Sequence, residues 1–81
     1  MKTKTPLEES LRASIEQYLE DLGGADPTNM YDMVINRIEL PLLQLTMTRV
    51  QNNQSRAAAM LGLTRNTLRK KLLAHKLLEQ R

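Results

Sequence analysis

The sequence predicts an all-α chain of four helices, the last two joined as a helix-turn-helix. Three observations carry this expectation. Thr5-Pro6 and Asp26-Pro27 each pair a capping residue with a proline, the usual opening of a helix. Long stretches after both carry apolar residues at spacings of three and four. Between Asn53 and Leu72, NQSRAAAMLGLTRNTLRKKL holds two capping residues, Asn53 and Thr64, around a central Gly62.

The first helix starts at Pro6. Thr5 caps it, Pro6 takes the first helical position and Glu8 completes a capping box. Leu7, Leu11, Ile15, Tyr18, Leu19 and Leu22 form one apolar stripe, with the acidic residues largely off it. Gly23-Gly24 ends the helix. Residues 1–5 are read as a short flexible N-terminus.

The second helix is expected to run from Asp26-Pro27 to about Val50, on the order of 35 Å. Tyr31, Val34, Ile35, Ile38, Leu42, Leu45 and Arg49 form one line along it. Met30, Met33, Leu40, Leu43, Met47 and Val50 extend apolar surface around more of its girth. A helix apolar over so much of its circumference is buried on several sides. The first helix is too small to cover it, and a second copy of the chain would. Pro41 removes one helical hydrogen bond and crowds the preceding turn. The expectation is one kinked helix; two helices meeting near Leu40 is the alternative. Asn52 is expected to take the left-handed conformation that ends it.

The third helix is expected over Gln54–Leu61 and the fourth from Arg65 to about Leu77. Gly62 stands where a left-handed turn residue is needed, with Leu63 as the apolar plug behind it. Ala58 is small enough to let the two helices approach. Leu63, Leu68 and Leu72 turn one side of the fourth helix inward. Leu73, Leu77 and Leu78 are candidates to cover the end of the core.

Composition narrows the class. A chain of 81 residues buries only about 60–65% of its unfolded surface, so it ordinarily needs a staple or a partner. The absence of cysteine excludes disulfides and thiolate metal sites. No apolar run approaches the roughly 20 residues of a membrane span, and Met1–Pro6 is not a signal peptide. Residues 1–50 carry five Lys/Arg against eight Asp/Glu, a net −3, and residues 51–81 carry seven against one, a net +6. A basic patch grouped on one element is the footprint of a duplex binder, although a solvated basic helix reads the same way. With two Tyr as the only aromatics, stacking readers of single strands are disfavoured.

The same spacing sorts the polar residues. Arg65 falls at the start of the fourth helix, where a bidentate contact with O6 and N7 of guanine is possible. Arg69, one turn on, suits a base or a phosphate; Thr67, Lys70 and Lys71 suit phosphates, which hold register without reading sequence. Asn53, Gln54 and Ser55 open the third helix, whose free amides form an anion site. Thr64 and Asn66 flank Arg65 and complete the candidate set. Arg56 is equally suited to an ion pair with the acidic first half. His75, the only histidine, reads as a surface residue, and Asp32 and Glu39 as solvated. No catalytic set, phosphate loop or metal cluster is present, so neither an enzyme nor a cofactor is expected.

PLLQLTMTRVQNNQSRAAAMLGLTRNTLRKKL resembles the Fis family, small bacterial nucleoid proteins named for stimulating DNA inversion. TPLEESLRASIEQYLEDL and ADPTNMYDMVINRIELPLL extend the similarity to roughly Pro6–Leu72. The resemblance implies an intertwined homodimer of four-helix subunits. Residues 6–50 then form dimerisation helices kinked at Pro41, and 51–81 the helix-turn-helix region. Leu11, Ile15, Tyr31, Val34, Ile38, Leu42 and Leu45 are the expected interface. The resemblance also implies duplex binding with low sequence stringency and strong bending, because the two reading helices sit closer than one turn of straight DNA. Asn53, Ser55, Arg65, Thr67, Arg69, Lys70 and Lys71 fall on family positions that touch DNA; Arg65 matches the guanine reader and Asn53 a backbone contact.

Thr64 stands where the best-known members have Asn, and Asn66 where they have Gly, so base preference is expected to differ. Met1–Thr5 leaves no room for the family's N-terminal β arm, so stimulation of an invertase is not expected. The expected protein organises the chromosome and modulates transcription from the cytoplasmic nucleoid, with double-stranded DNA and its own second copy as partners. Neither a membrane nor a small-molecule substrate is expected. Two alternatives remain: the reading module of an enhancer-binding activator, and a helical dimerisation module with a merely solvated basic tail.

Overall fold

The computed structural model describes residues 5–78, which hold four helices and no strand. These are α1 (Pro6–Asp21), α2 (Met30–Arg49), α3 (Gln54–Leu61) and α4 (Arg65–Ala74). Residues 1–4 and 79–81 lie outside the described residues, so most of the expected N-terminal segment and the end of the region assigned to 51–81 fall there. The chain divides into two compact units inside α2, between Val34 and Ile35.

The first unit is set by its ends. Thr5 caps α1, its hydroxyl accepting the Glu8 amide at 3.1 Å while the Glu8 carboxylate accepts the Thr5 amide at 3.1 Å. The expected capping box is therefore present. Leu11, Ile15, Tyr18 and Leu22 are half-buried, Leu7 and Leu19 are exposed, and no α1 residue among those described is buried. The second helix opens later than expected. Asp26 does not cap it and Pro27 is not its first residue; residues 25–29 stay irregular, and the first helical carbonyl is that of Asn29, bonded to the Met33 amide at 3.1 Å. Thr28 and Asn29 both favour local turn conformations over helix interior, which moves the start past the proline. Pro41 lies inside α2, which continues through it as one helix.

The second unit holds the core. Leu43 from α2, Val50 just after its end, Ala57 and Ala58 from α3, and Leu68 and Leu72 from α4 form one buried cluster. Met47, Leu61, Leu63, Leu77 and Leu78 pack around it. Thr46 is buried beside Leu43, and its hydroxyl donates to the Leu42 carbonyl at 2.7 Å, so it enters the core satisfied. Leu77 and Leu78 cap the core end as expected, but not from a helix. α4 stops at Ala74, three residues short of the expectation.

The reason is shared by three helices. At the end of α3 the Leu63 amide reaches the Ala58 carbonyl at 2.9 Å and the Gly62 amide the Ala59 carbonyl at 3.3 Å, a Schellman closure around a left-handed Gly62 (φ 73°). α4 repeats it with Leu77 to Leu72 at 2.8 Å and Lys76 to Leu73 at 3.0 Å. α2 repeats it with Asn52 to Met47 at 2.9 Å and Gln51 to Thr48 at 3.2 Å. Gln51 (φ 53°) and Lys76 (φ 60°) take the left-handed position without being glycine. At α4 the closure turns Leu77 back onto the core, and that burial offsets a backbone strain of about 1–2 kcal/mol. Asn52 is left-handed as expected (φ 64°), with Gln51 left-handed before it.

A Cβ added at Gly62 would meet nothing within 4 Å, so substitution there is a backbone problem alone. Gly62→Ala should destabilise by about 1–2 kcal/mol, and Gly62→Asn by visibly less, since Asn tolerates this conformation. Urea unfolding of the two variants checks the order; equal losses would point to packing instead.

Candidate nucleic-acid interface

The turn at Gly62 sets α3 and α4 against each other through small and branched apolar residues, Ala57 and Ala58 against Leu68 and Leu72. With that side buried, the starts of both helices face outward. Each is capped by a short side chain. The Asn53 side-chain oxygen accepts the Arg56 amide at 3.1 Å, and the Thr64 hydroxyl accepts the Thr67 amide at 3.1 Å. The Ala57 amide bonds the Asn53 carbonyl at 3.0 Å, which leaves the amides of Gln54 and Ser55 as the free donors of the first turn. Asn53 spends its oxygen on the cap and retains its NH2 group as an outward donor.

Gln54, Thr64, Arg65, Asn66 and Arg69 line an open cleft of about 360 Å³ where the two helix starts meet. Five of the ten expected contact residues are thus gathered in one place. Arg65 and Arg69 are exposed, one turn apart, and neither makes an ion pair among the described residues. Ser55 and Lys70 are exposed outside the cleft. The Thr67 hydroxyl is engaged by the cap, sharing a hydrogen bond with the Thr64 hydroxyl at 3.0 Å.

Lys71 stands differently. Its Nζ donates to Oε2 of Glu39 at 2.6 Å, and His75 Nε2 bonds the other carboxylate oxygen at 3.0 Å. An ionised carboxylate only accepts, so the His75 proton on this contact sits on Nε2. The side chains are 35% exposed for Lys71, 20% for Glu39 and 12% for His75. This corrects two expectations. Glu39 is not a solvated acid, and His75 is not a free surface residue. The reason is tertiary: Lys71 in α4 and His75 at its C-terminal cap lie four apart, and the fold sets both beside Glu39 of α2. The expected alternative for Arg56 does not arise, since it forms no ion pair among the described residues.

Sequence reading passed over Glu39 although a signal was there. It is the only carboxylate between Asp32 and Glu79, in a stretch dense with cations. The hydrogen bonds from Lys71 and then His75 hold the Glu39 carboxyl below its ordinary pKa, against an opposing effect of desolvation. A lowered folded-state pKa means stability that is present above the unfolded value and lost as pH falls through the folded one. The stability difference between the native chain and Glu39→Gln should be on the order of 1 kcal/mol at pH 7. It should vanish once the pH drops below the ordinary Glu value of about 4.3 and on through the lowered one. Urea unfolding at stepped pH checks this; a difference that persists in acid would assign the effect to something other than the charge.

Among the described residues no group of three or more His, Cys, Asp or Glu is arranged to hold a metal ion. No helix described is long and apolar enough to cross a membrane.

Comparison with known proteins bears directly on this region. A family model described as bacterial regulatory protein, Fis family, matches residues 35–75, from within the first half of α2 through α4. A protein of Ralstonia nicotianae named as Fis-like and DNA-binding is 51% identical over 76 residues, 94% of this chain and 99% of the relative. A Neisseria meningitidis protein named in the same way is 49% identical over 94% of this chain and 96% of its own length. The DNA-binding protein Fis of Psychromonas ingrahamii is 47% identical over 86% of this chain and 71% of its own length.

Proposed function

The chain belongs to the Fis family of bacterial regulatory proteins, and on that premise we propose that it binds and bends duplex DNA as a homodimer. In this reading it modulates transcription and chromosome organisation, and it acts at the nucleoid. The observation that carries the proposal is the pair Arg65 and Arg69, exposed and without an ion-pair partner among the described residues, in a cleft at the start of α4. A recognition helix reads base edges with its first turn, and Arg is the residue suited to guanine.

The roles divide by chemistry. Arg65 reads a base, with Thr64 and Asn66 beside it shaping the preference. Asn53, Gln54, Ser55, Thr67, Arg69 and Lys70 hold phosphates through side-chain and backbone donors. Residues 6–50 supply the dimer contacts, with α2 kinked at Pro41, and residues 51–81 the contacts with DNA. The dimer is supported by what α2 leaves uncovered. Leu45 is 72% exposed, Leu42 48% and Tyr31 77%, while Val34 and Ile38 of the same helix are half-buried; Leu11 and Ile15 of α1 are half-buried too. A second copy covering that line supplies the apolar burial that a chain of this size lacks. Two reading helices held closer than a turn of straight DNA then draw the duplex into a bend. The deformation, about 1–6 kcal/mol for a smooth bend, is offset by the added flanking contacts.

Duplex binding tests the reading directly. Affinity should fall linearly with salt on a log–log plot, with a slope of about −0.9 per phosphate neutralised, and a permuted-site gel-shift series should report curvature. A flat salt response would leave only a solvated basic helix. Arg65→Ala should lose about 1–3 kcal/mol together with a preference for guanine at one position in each half-site; equal loss on every sequence would make Arg65 a backbone contact. On dilution, unfolding and dissociation should coincide, and a stable folded monomer in light scattering would contradict the dimer.

A further inference from the structure

We propose that Glu39 is a positioning residue that withholds Lys71 from the duplex, and so sets how many phosphates α4 neutralises. The proposal rests on the duplex reading above. Its starting point is the pair of neighbouring lysines, Lys70 and Lys71, which the sequence presents as equivalent. In the structure they are not. Lys70 is exposed and without an ion pair among the described residues, whereas Lys71 is bonded to Glu39 at 2.6 Å.

Three features keep Lys71 where it is. The first is direction: at 3.6 residues per turn Lys71 lies about 160° around α4 from Arg69. It therefore leaves α4 on a flank that Glu39 reaches, and its long, flexible side chain swings toward a phosphate only once that carboxylate lets it go. The second is the way the carboxylate is shared. Oε2 takes the Lys71 ammonium and Oε1 the His75 imidazole, so both oxygens are committed to α4. Moving Lys71 to a phosphate would leave a half-sheltered carboxylate with one partner fewer, near an approaching polyanion. The third is that no other carboxylate lies between Asp32 and Glu79 to take over. Leu68 and Leu72 seat the inner side of α4, and the Glu39 contacts tie one flank to α2. Together they fix the rotation of the helix about its own axis, which decides where Arg65 and Arg69 point.

The consequence is a division of labour within one basic helix. Arg65, Arg69 and Lys70 remain available to DNA. Lys71, which the family resemblance leads one to expect on DNA, acts instead through Glu39 on the placement of α4 and contributes nothing to the count of neutralised phosphates.

Fluorescence anisotropy of a labelled duplex with the full chain, across a series of salt concentrations, tests this. In Glu39→Gln the pairing loses its charge and Lys71 is released, so the salt slope should become steeper by about 0.9 per subunit. Adding Lys71→Ala to that variant should return the slope to the native value. Lys71→Ala alone should leave the native slope unchanged. An unchanged or shallower slope in Glu39→Gln would overturn the proposal, and so would a slope shallower by about 0.9 in Lys71→Ala. Should circular dichroism find Glu39→Gln unfolded, Lys71→Ala alone decides by the same criterion. Loss of native binding at low salt is a separate result, and it would remove the duplex reading itself.

Discussion

What α4 presents to its surroundings depends on how Leu68 and Leu72 are seated against Ala57 and Ala58. The two alanines are the constraint. Larger side chains there would push the helices apart, and the outer residues of α4 would swing away from the start of α3. Because Gly62 accepts a left-handed turn without strain, α3 and α4 meet at close range and their capped starts open on one cleft. Among the described residues only six apolar side chains are buried in the core cluster, so each bears a large share of the stability. Burying one leucine fully is worth about 1.5–3 kcal/mol, and single domains hold only about 5–15 kcal/mol in reserve.

Electrostatics completes what packing begins. The second half of the chain is strongly cationic, and an isolated cationic helix would present all its charges alike. Glu39 breaks that equivalence. It draws Lys71 and His75 toward α2 while Arg65, Arg69 and Lys70 remain in solvent. A single carboxylate thus separates the charges that hold the helix from the charges that face outward.

The second helix illustrates a different division. Leu43, Thr46 and Val50 are buried in the core of α2, α3 and α4. Leu45 lies about 160° around the helix from Leu43 and remains in solvent, as does Leu42 beside it. These apolar residues stand in solvent on a helix that is already packed on its other side. In the reading advanced here, their cover is the same line on a second copy.

The sequence by itself determined what is written within a turn or two of chain. The caps at Thr5, Asn53 and Thr64, the closure at Gly62 and the inward side carrying Leu68 and Leu72 all follow from residues no more than about five positions apart, and all are found. Its misjudgements at helix ends have the same origin. The start of α2 passed from Asp26 to Asn29 because several turn-forming residues competed locally, and the end of α4 moved to Ala74 because burial of Leu77 outweighed the reluctance of Lys76 to turn left-handed. Only the tertiary structure decided the partners of Glu39, which lie 32 and 36 residues away along the chain. A charge carries no periodicity that announces its partner. Until α4 is packed beside α2, an acid on one helix and a lysine and histidine on another are three solvated groups, and folding alone brings them within bonding distance.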